Sequence, residues 1–140
     1  GRVQLTKADL FDSERKKTAA YYNKVFSDVD FIKLPPSGEG NSWHLYLMRL
    51  DLTKLNCDRD TFSRELQQKG VGVSMHFIPL FRFTYWKKLY PDFTAEHFPN
   101  ANEHFSETIT LPLWPDMTLQ DAQFVIDCVK EVGEKHRARR

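Results

Sequence analysis

The chain has 140 residues, a length that suits one domain with a core of its own, and its 41% hydrophobic and 28% charged residues are ordinary for a soluble globular protein. Twenty Lys and Arg against nineteen Asp and Glu leave a net charge of +1, which argues against non-specific nucleic-acid binding, a function that needs a basic surplus on one face. No run of about 18 apolar residues exists to cross a membrane, and no signal peptide opens the chain.

The opening stretch GRVQLTKADL lacks an initiator methionine and enters a helical pattern almost at once, as in a processed chain or a domain cut from something longer. From Lys7 to Phe26, Leu10, Phe11, Thr18, Tyr21, Tyr22, Val25 and Phe26 recur at helical steps between charges. LPPSGEGN, residues 34–41, breaks regular structure with two prolines and two glycines. SWHLYLMRLD then reads as a strand, with Trp43, Leu45 and Leu47 on one face and His44, Tyr46 and Met48 on the other; two mostly apolar faces predict a central position.

DRDTFSRELQQKG predicts a helix with Asp58 at its N-cap, Gly70 in the left-handed position after its end, and Phe62 and Leu66 as its buried stripe. Residues 71–77, VGVSMHF, read as the next strand. Val71, Val73, Met75 and Phe77 share one face; Gly72, Ser74 and His76 share the other. FTYWKKLY suggests a short helix ending before Pro91, PNANEHFSETI another with Pro99 or Asn100 near its start, and TLPLWP a short strand. In MTLQDAQFVIDCVKEVG, Thr118 and Asp121 approximate a capping box ahead of an Ala122, Val125, Ile126, Val129 and Val132 stripe. The basic tail KHRARR, residues 135–140, reads as a frayed, solvated terminus. The fold class is therefore α/β, a small sheet of about three strands covered by helices.

His76 is the sharpest chemical candidate, because it ends a predicted strand beside small Gly72 and Ser74, where something can approach. Spacing alone leaves it open between a ligand contact and a histidine satisfied by a backbone carbonyl. His44, between Trp43 and Leu45, reads as structural. His97 and His104 are seven positions apart, too far for a helical metal pair, and no cluster has zinc-ligand spacing. Asp58 and Asp60 read as cap and first-turn residues rather than a catalytic pair. Cys57 and Cys128 have no C-x-x-C spacing and suggest free thiols in a reduced, cytosolic setting, neither of them a nucleophile. The rings of Phe81, Phe83, Tyr85 and Trp86 read by default as core, yet HFIPLFRFTYW holds enough of them around one histidine to form a ligand-facing wall.

Four blocks, QLTKADLFDSERKKTAAYYNKVF, SWHLYLMRLD, QQKGVGVSMHFIPLFRFTYW and FPNANEHFSETITLPLWPDMT, resemble in order and spacing the C-terminal part of the DegT/DnrJ/StrS sugar aminotransferases. The resemblance runs from about Gln4 to Val132. It is closest to the branch that includes the 4-amino-4-deoxy-arabinose (lipid A modification) aminotransferase. It implies a fold-type I enzyme that depends on pyridoxal phosphate and moves an amino group from glutamate to a nucleotide-linked keto-sugar, in the cytoplasm and as a homodimer. The lysine that carries the cofactor in such enzymes belongs to a large N-terminal domain, so the resemblance nominates no catalytic residue and no cofactor contact here. It makes residues 1–30 a helix leading from that domain and 31–140 the small C-terminal domain. This chain alone would be inactive, would bind no cofactor, and would tend to self-associate through uncovered apolar surface.

The resemblance matches His76 to the strand-end histidine of the family's His-Phe/Tyr motif, which implies substrate contact, and places Phe77 and Tyr85 in the same substrate-side loop. Many relatives carry a second histidine five residues later, where this chain has Phe81. Some family members are dehydratases and others have been proposed as regulators; the deciding residue lies in the large domain.

Overall fold

The computed structural model describes residues 1–138. After a single exposed turn, α1 (Arg2–Leu5), the long helix α2 (Ala8–Phe26) turns Ala19, Tyr22 and Phe26 into the core. A two-residue strand, β1 (Ile32–Lys33), is followed by β2 (Tyr46–Leu50). Then come α3 (Arg59–Gln68), the short α4 (Thr84–Leu89), α5 (Pro99–Glu107), β3 (Thr108–Leu111) and the closing helix α6 (Leu119–Lys135). The sheet is antiparallel in the order β1-β2-β3, with Ile32 opposite Leu50 and Met48 opposite Ile109. The α/β class and the central place of β2 are as the sequence predicts.

Period-two alternation puts Tyr46, Met48, Leu50, Ile109 and Leu111 on one face of the sheet, all buried. Helix α6 packs against both α2 and α3 over that face and supplies Ala122, Val125, Ile126, Val129 and Val132, the predicted stripe. The predicted caps also form. Asp58 accepts the Thr61 N–H at 2.8 Å, and Thr118 and Asp121 make the reciprocal capping box. Gly70 has φ +89°, the left-handed geometry expected after α3.

All three expected strands differ from the sequence reading; of TLPLWP only its first two residues are strand, the end of Thr108–Leu111, which stops before Pro112. Residues 71–77 form no strand: they touch the sheet at one bridge, Ser74 to Thr110. The available edge, β3, has only four residues, and Pro112 brings no N–H to lengthen the ladder. Val71 is buried, but Met75 and Phe77, assigned to the same face, emerge 41% and 77% exposed, because no layer lies over them in this chain. The third sheet position belongs instead to β1, too short to carry a periodicity. The strand expected from Ser42 begins at Tyr46. Ahead of it Trp43 adopts φ +48°, with its N–H bonded to Asn41 Oδ1 at 2.8 Å, and this turn breaks the alternation. Trp43 therefore reaches the core and stacks on Tyr46 with ring centroids 5.8 Å apart, while His44, read as a structural histidine within the strand, is exposed outside it.

The other face of the sheet is polar at one end. Glu107, 7% exposed, accepts from Arg49 Nη2 at 2.7 Å and Lys33 Nζ at 2.8 Å, tying β1 and β2 to the end of α5. The tail also departs from expectation. Lys135 and His136 both reach Glu65 at 2.8 Å, Arg137 reaches Asp30 at 2.8 Å and Glu134 at 2.7 Å, and the Ala138 N–H donates to the Lys54 carbonyl at 2.8 Å. Residues 135–138 are thus docked rather than frayed, because Glu65 of α3, Asp30 of the turn before β1 and Glu134 of α6 itself converge on them; Arg139 and Arg140 lie outside the described residues.

Two expectations follow from this packing. A Cβ on Gly133 would overlap the ring of buried Phe31, so Gly133→Ala lowers stability by about 1–3 kcal/mol, read as a shift in the denaturant midpoint. The second concerns pH. The Lys135 bond holds Glu65 below the usual carboxylate range, and Arg137 does the same for Asp30 and Glu134. Groups with depressed folded-state values stabilise fully above the ordinary carboxylate range and lose that contribution as pH falls from that range through the lowered folded-state values. Acidification therefore loosens the tail first. Amide protection at Asn56, whose N–H donates to the His136 carbonyl at 2.8 Å, and at Ala138 falls before protection at Ile109 does.

Candidate functional site

His76 stands where the extended segment 71–77 leaves the sheet. The bridge beneath it is reciprocal: the Thr110 N–H donates to the Ser74 carbonyl at 2.8 Å, and the Ser74 N–H donates back at 3.3 Å. Two residues further on the same side, the half-buried imidazole brings Nδ1 to 2.9 Å from Thr110 Oγ1. The partner of His76 is thus a side-chain hydroxyl, not the backbone carbonyl of the structural alternative. Phe77 packs its ring edge-on to the imidazole, centroids 4.6 Å apart, and is otherwise open to solvent.

Tyr85, the third expected contact residue, sits at the start of α4, 65% exposed, and pairs edge-on with Trp86 rather than with His76. The chain brings His76 and Phe77 together but leaves Tyr85 on a separate arm. That arm, residues 77–98, is an aromatic ladder rather than core. Trp86 stacks on Tyr90, Tyr90 on Phe93, and Phe81 on Phe98 with centroids 5.6 Å apart. The default reading of Phe81, Phe83, Tyr85 and Trp86 as core residues therefore fails; none is fully buried. The ladder walls an apolar hollow of about 490 Å³ between Pro79, Leu80, Phe81, Trp86 and Phe98, and His76 does not line it. Phe81 belongs to this hollow.

On the far side of the segment, Arg59 is buried at the first turn of α3, donates to the Thr108 carbonyl at 3.3 Å and lies 4.7 Å from the centroid of Phe105. It fastens α3 to the start of β3. Neither this arginine nor Thr110 was singled out in the sequence. The one available signal was that Thr110 is a hydroxyl inside an otherwise apolar run, ITLPL.

The remaining candidates are structural. His104 and His97 bond to Thr108 and Thr94 hydroxyls at 3.1 and 3.2 Å, and among the described residues no group of His, Cys, Asp and Glu is arranged to hold a metal ion. Cys57 and Cys128 are free thiols, each pushed up in pKa chiefly by burial, as suits inert cysteines. No described helix is long and apolar enough to cross a membrane.

The profile of the DegT/DnrJ/EryC1/StrS aminotransferase family matches residues 1–130. An uncharacterized protein of Methanocaldococcus jannaschii is 31% identical over 139 residues, covering 98% of this chain and 36% of that protein, so the chain spans about a third of its relative's length. Among solved structures, Helicobacter pylori PseC, an aminotransferase involved in the biosynthesis of pseudoaminic acid, superposes with a TM-score of 0.87 at 21% identity over 96% of this chain and 36% of its own. The putative sugar aminotransferase Spr1654 of Streptococcus pneumoniae, solved in both PLP and PMP forms, superposes at 0.86 with 29% identity over 96% of this chain and 34% of its own. On the family match across residues 1–130, this chain belongs to the DegT/DnrJ/EryC1/StrS aminotransferase family.

Proposed function

We propose that the protein is a pyridoxal-phosphate-dependent sugar aminotransferase that moves an amino group from glutamate to a nucleotide-linked keto-sugar, and that this chain is the part that closes over the substrate. Family membership supports the reaction class. The observation that carries the local reading is His76, held at Nδ1 by Thr110, next to a phenylalanine left 77% exposed by the described residues. We read residues 1–30 as the lead-in from a large domain and residues 31–140 as the small domain, in a cytoplasmic homodimer. Within the family we read the chain as belonging to the 4-amino-4-deoxy-arabinose branch, to which its sequence blocks bear the closest resemblance.

Pyridoxal phosphate, when bound, supplies the electron sink for such chemistry. We read this chain as supplying none of its direct contacts. Lys33, Lys54, Lys69 and Lys135 are each paired with a carboxylate elsewhere in the fold, and none of them lines the apolar hollow of the aromatic arm. In this reading the lysine that carries the cofactor comes from the large domain. His76 then acts as a hydrogen-bonding group toward the sugar or its phosphate, and Phe77 and Tyr85 form an apolar wall beside it.

The test uses the full-length protein. His76→Ala removes one hydrogen bond to a charged or polar ligand, worth about 1.5–3 kcal/mol, and raises KM for the nucleotide sugar about ten- to a hundredfold. Bound cofactor stays as it was, and Tm falls only by what the buried Thr110 hydroxyl loses with its partner. An unchanged KM with a lowered Tm would return His76 to a packing role. Phe81→His is the companion variant. It is expected to shift preference among keto-sugars while leaving turnover of glutamate alone; loss of stability without a shift in preference would confine Phe81 to the aromatic ladder.

A further inference from the structure

The hydrogen bond between His76 and Thr110 carries more than position, because it can be formed in only one sense without leaving a buried group unpaired. A neutral imidazole has one N–H, at Nδ1 or Nε2, and a threonine hydroxyl has one O–H. Thr110 is 5% exposed, and among the described residues its hydroxyl has His76 Nδ1, 2.9 Å away, as its one hydrogen-bond partner. If Nδ1–H donated to the hydroxyl, the Thr110 O–H would be left without an acceptor in a place water scarcely reaches, and an unmade bond of that kind is costly. If the Thr110 O–H donates to Nδ1, both groups are satisfied and the ring proton lies on Nε2. The reciprocal Ser74–Thr110 backbone bridge, at 2.8 and 3.3 Å, keeps the two side chains in register for that bond.

We infer that Thr110 is a positioning residue that locks His76 in the Nε2–H tautomer, so that His76 offers its ligand a donor and the ligand atom it meets is an acceptor oxygen, from a phosphate or from the sugar. The kinetic consequence rests on the reading of His76 as a substrate contact; the tautomer itself does not. Sequence spacing could not suggest it, since 34 residues separate the partners.

The tautomer is read directly from the imidazole nitrogen shifts of this chain by long-range proton–nitrogen NMR in mildly alkaline buffer. The expected result is a pyridine-like Nδ1 and a proton-bearing Nε2. A proton-bearing Nδ1 overturns the inference. Thr110→Val keeps the β-branched shape and removes the hydroxyl, so the two tautomers mix; Thr110→Ser keeps the hydroxyl and restores the single pattern. In the full-length enzyme Thr110→Val raises KM for the nucleotide sugar about two- to tenfold, with most of the effect in KM rather than kcat, and Thr110→Ser brings it back. If His76→Ala raises KM and Thr110→Val does not, the positioning role falls and the substrate contact stands. If His76→Ala leaves KM unchanged, the substrate contact falls, and the NMR pattern alone decides the tautomer. Should Thr110→Val fail to fold, the nitrogen shifts of the unmodified chain and of Thr110→Ser still decide.

Discussion

The structure turns on the four residues of β3, which lie between the core strand β2 on one side and a single bridging residue, Ser74, on the other. Alternation along so short a strand divides its work. Ile109 and Leu111 point into the core under α6, while Thr110 points the other way, toward His76. Its first residue, Thr108, accepts from the buried Arg59, and the residue before it, Glu107, gathers Arg49 and Lys33. Breaking the β2–β3 ladder would therefore release the core, the α3 junction and the candidate site together.

Against that ordered centre, the aromatic arm is unfinished. Trp86, Tyr90, Phe93, Phe81 and Phe98 stack mainly on one another, and Phe77, Leu80 and Tyr85 stay largely exposed. Large rings bury much area when they are covered, and monomeric proteins rarely leave such a contiguous patch open without a use for it. In the proposed reading the use is substrate and the rest of the enzyme, and this fits a chain that spans 36% of its relative's length. The division of labour follows: His76 is fixed from below by a short-range polar contact, while the wall beside it takes its final shape from what packs over it.

Local signals in the sequence determined a good deal. The Asp58 cap, the Gly70 turn, the Thr118–Asp121 box and the α6 stripe are each set by residues within a few positions of one another, and each appears as read. The central place of β2 was legible because both faces of the SWHLYLMRLD stretch are mostly apolar, and the four ordered blocks were enough to identify the family. His76 was legible as a candidate because it stands at the end of an apolar run among small residues.

Tertiary structure alone decided the rest. Two residues of β1 carry no periodicity, so their pairing with Leu50 and Arg49 could not be read in advance. Residues 71–77 alternate like a strand, yet a strand also needs a free edge of matching length, and β3 supplies one bridge. Trp43 left its expected face because a positive φ intervenes, and the basic tail docked because Glu65, Asp30 and Glu134 meet it from distant or neighbouring positions. Pattern along a chain reports which faces are apolar and where helices start and stop. It does not report which edge is open, which carboxylate lies within reach, or which hydroxyl faces a histidine 34 residues away, since those are distances in space that only the folded chain defines.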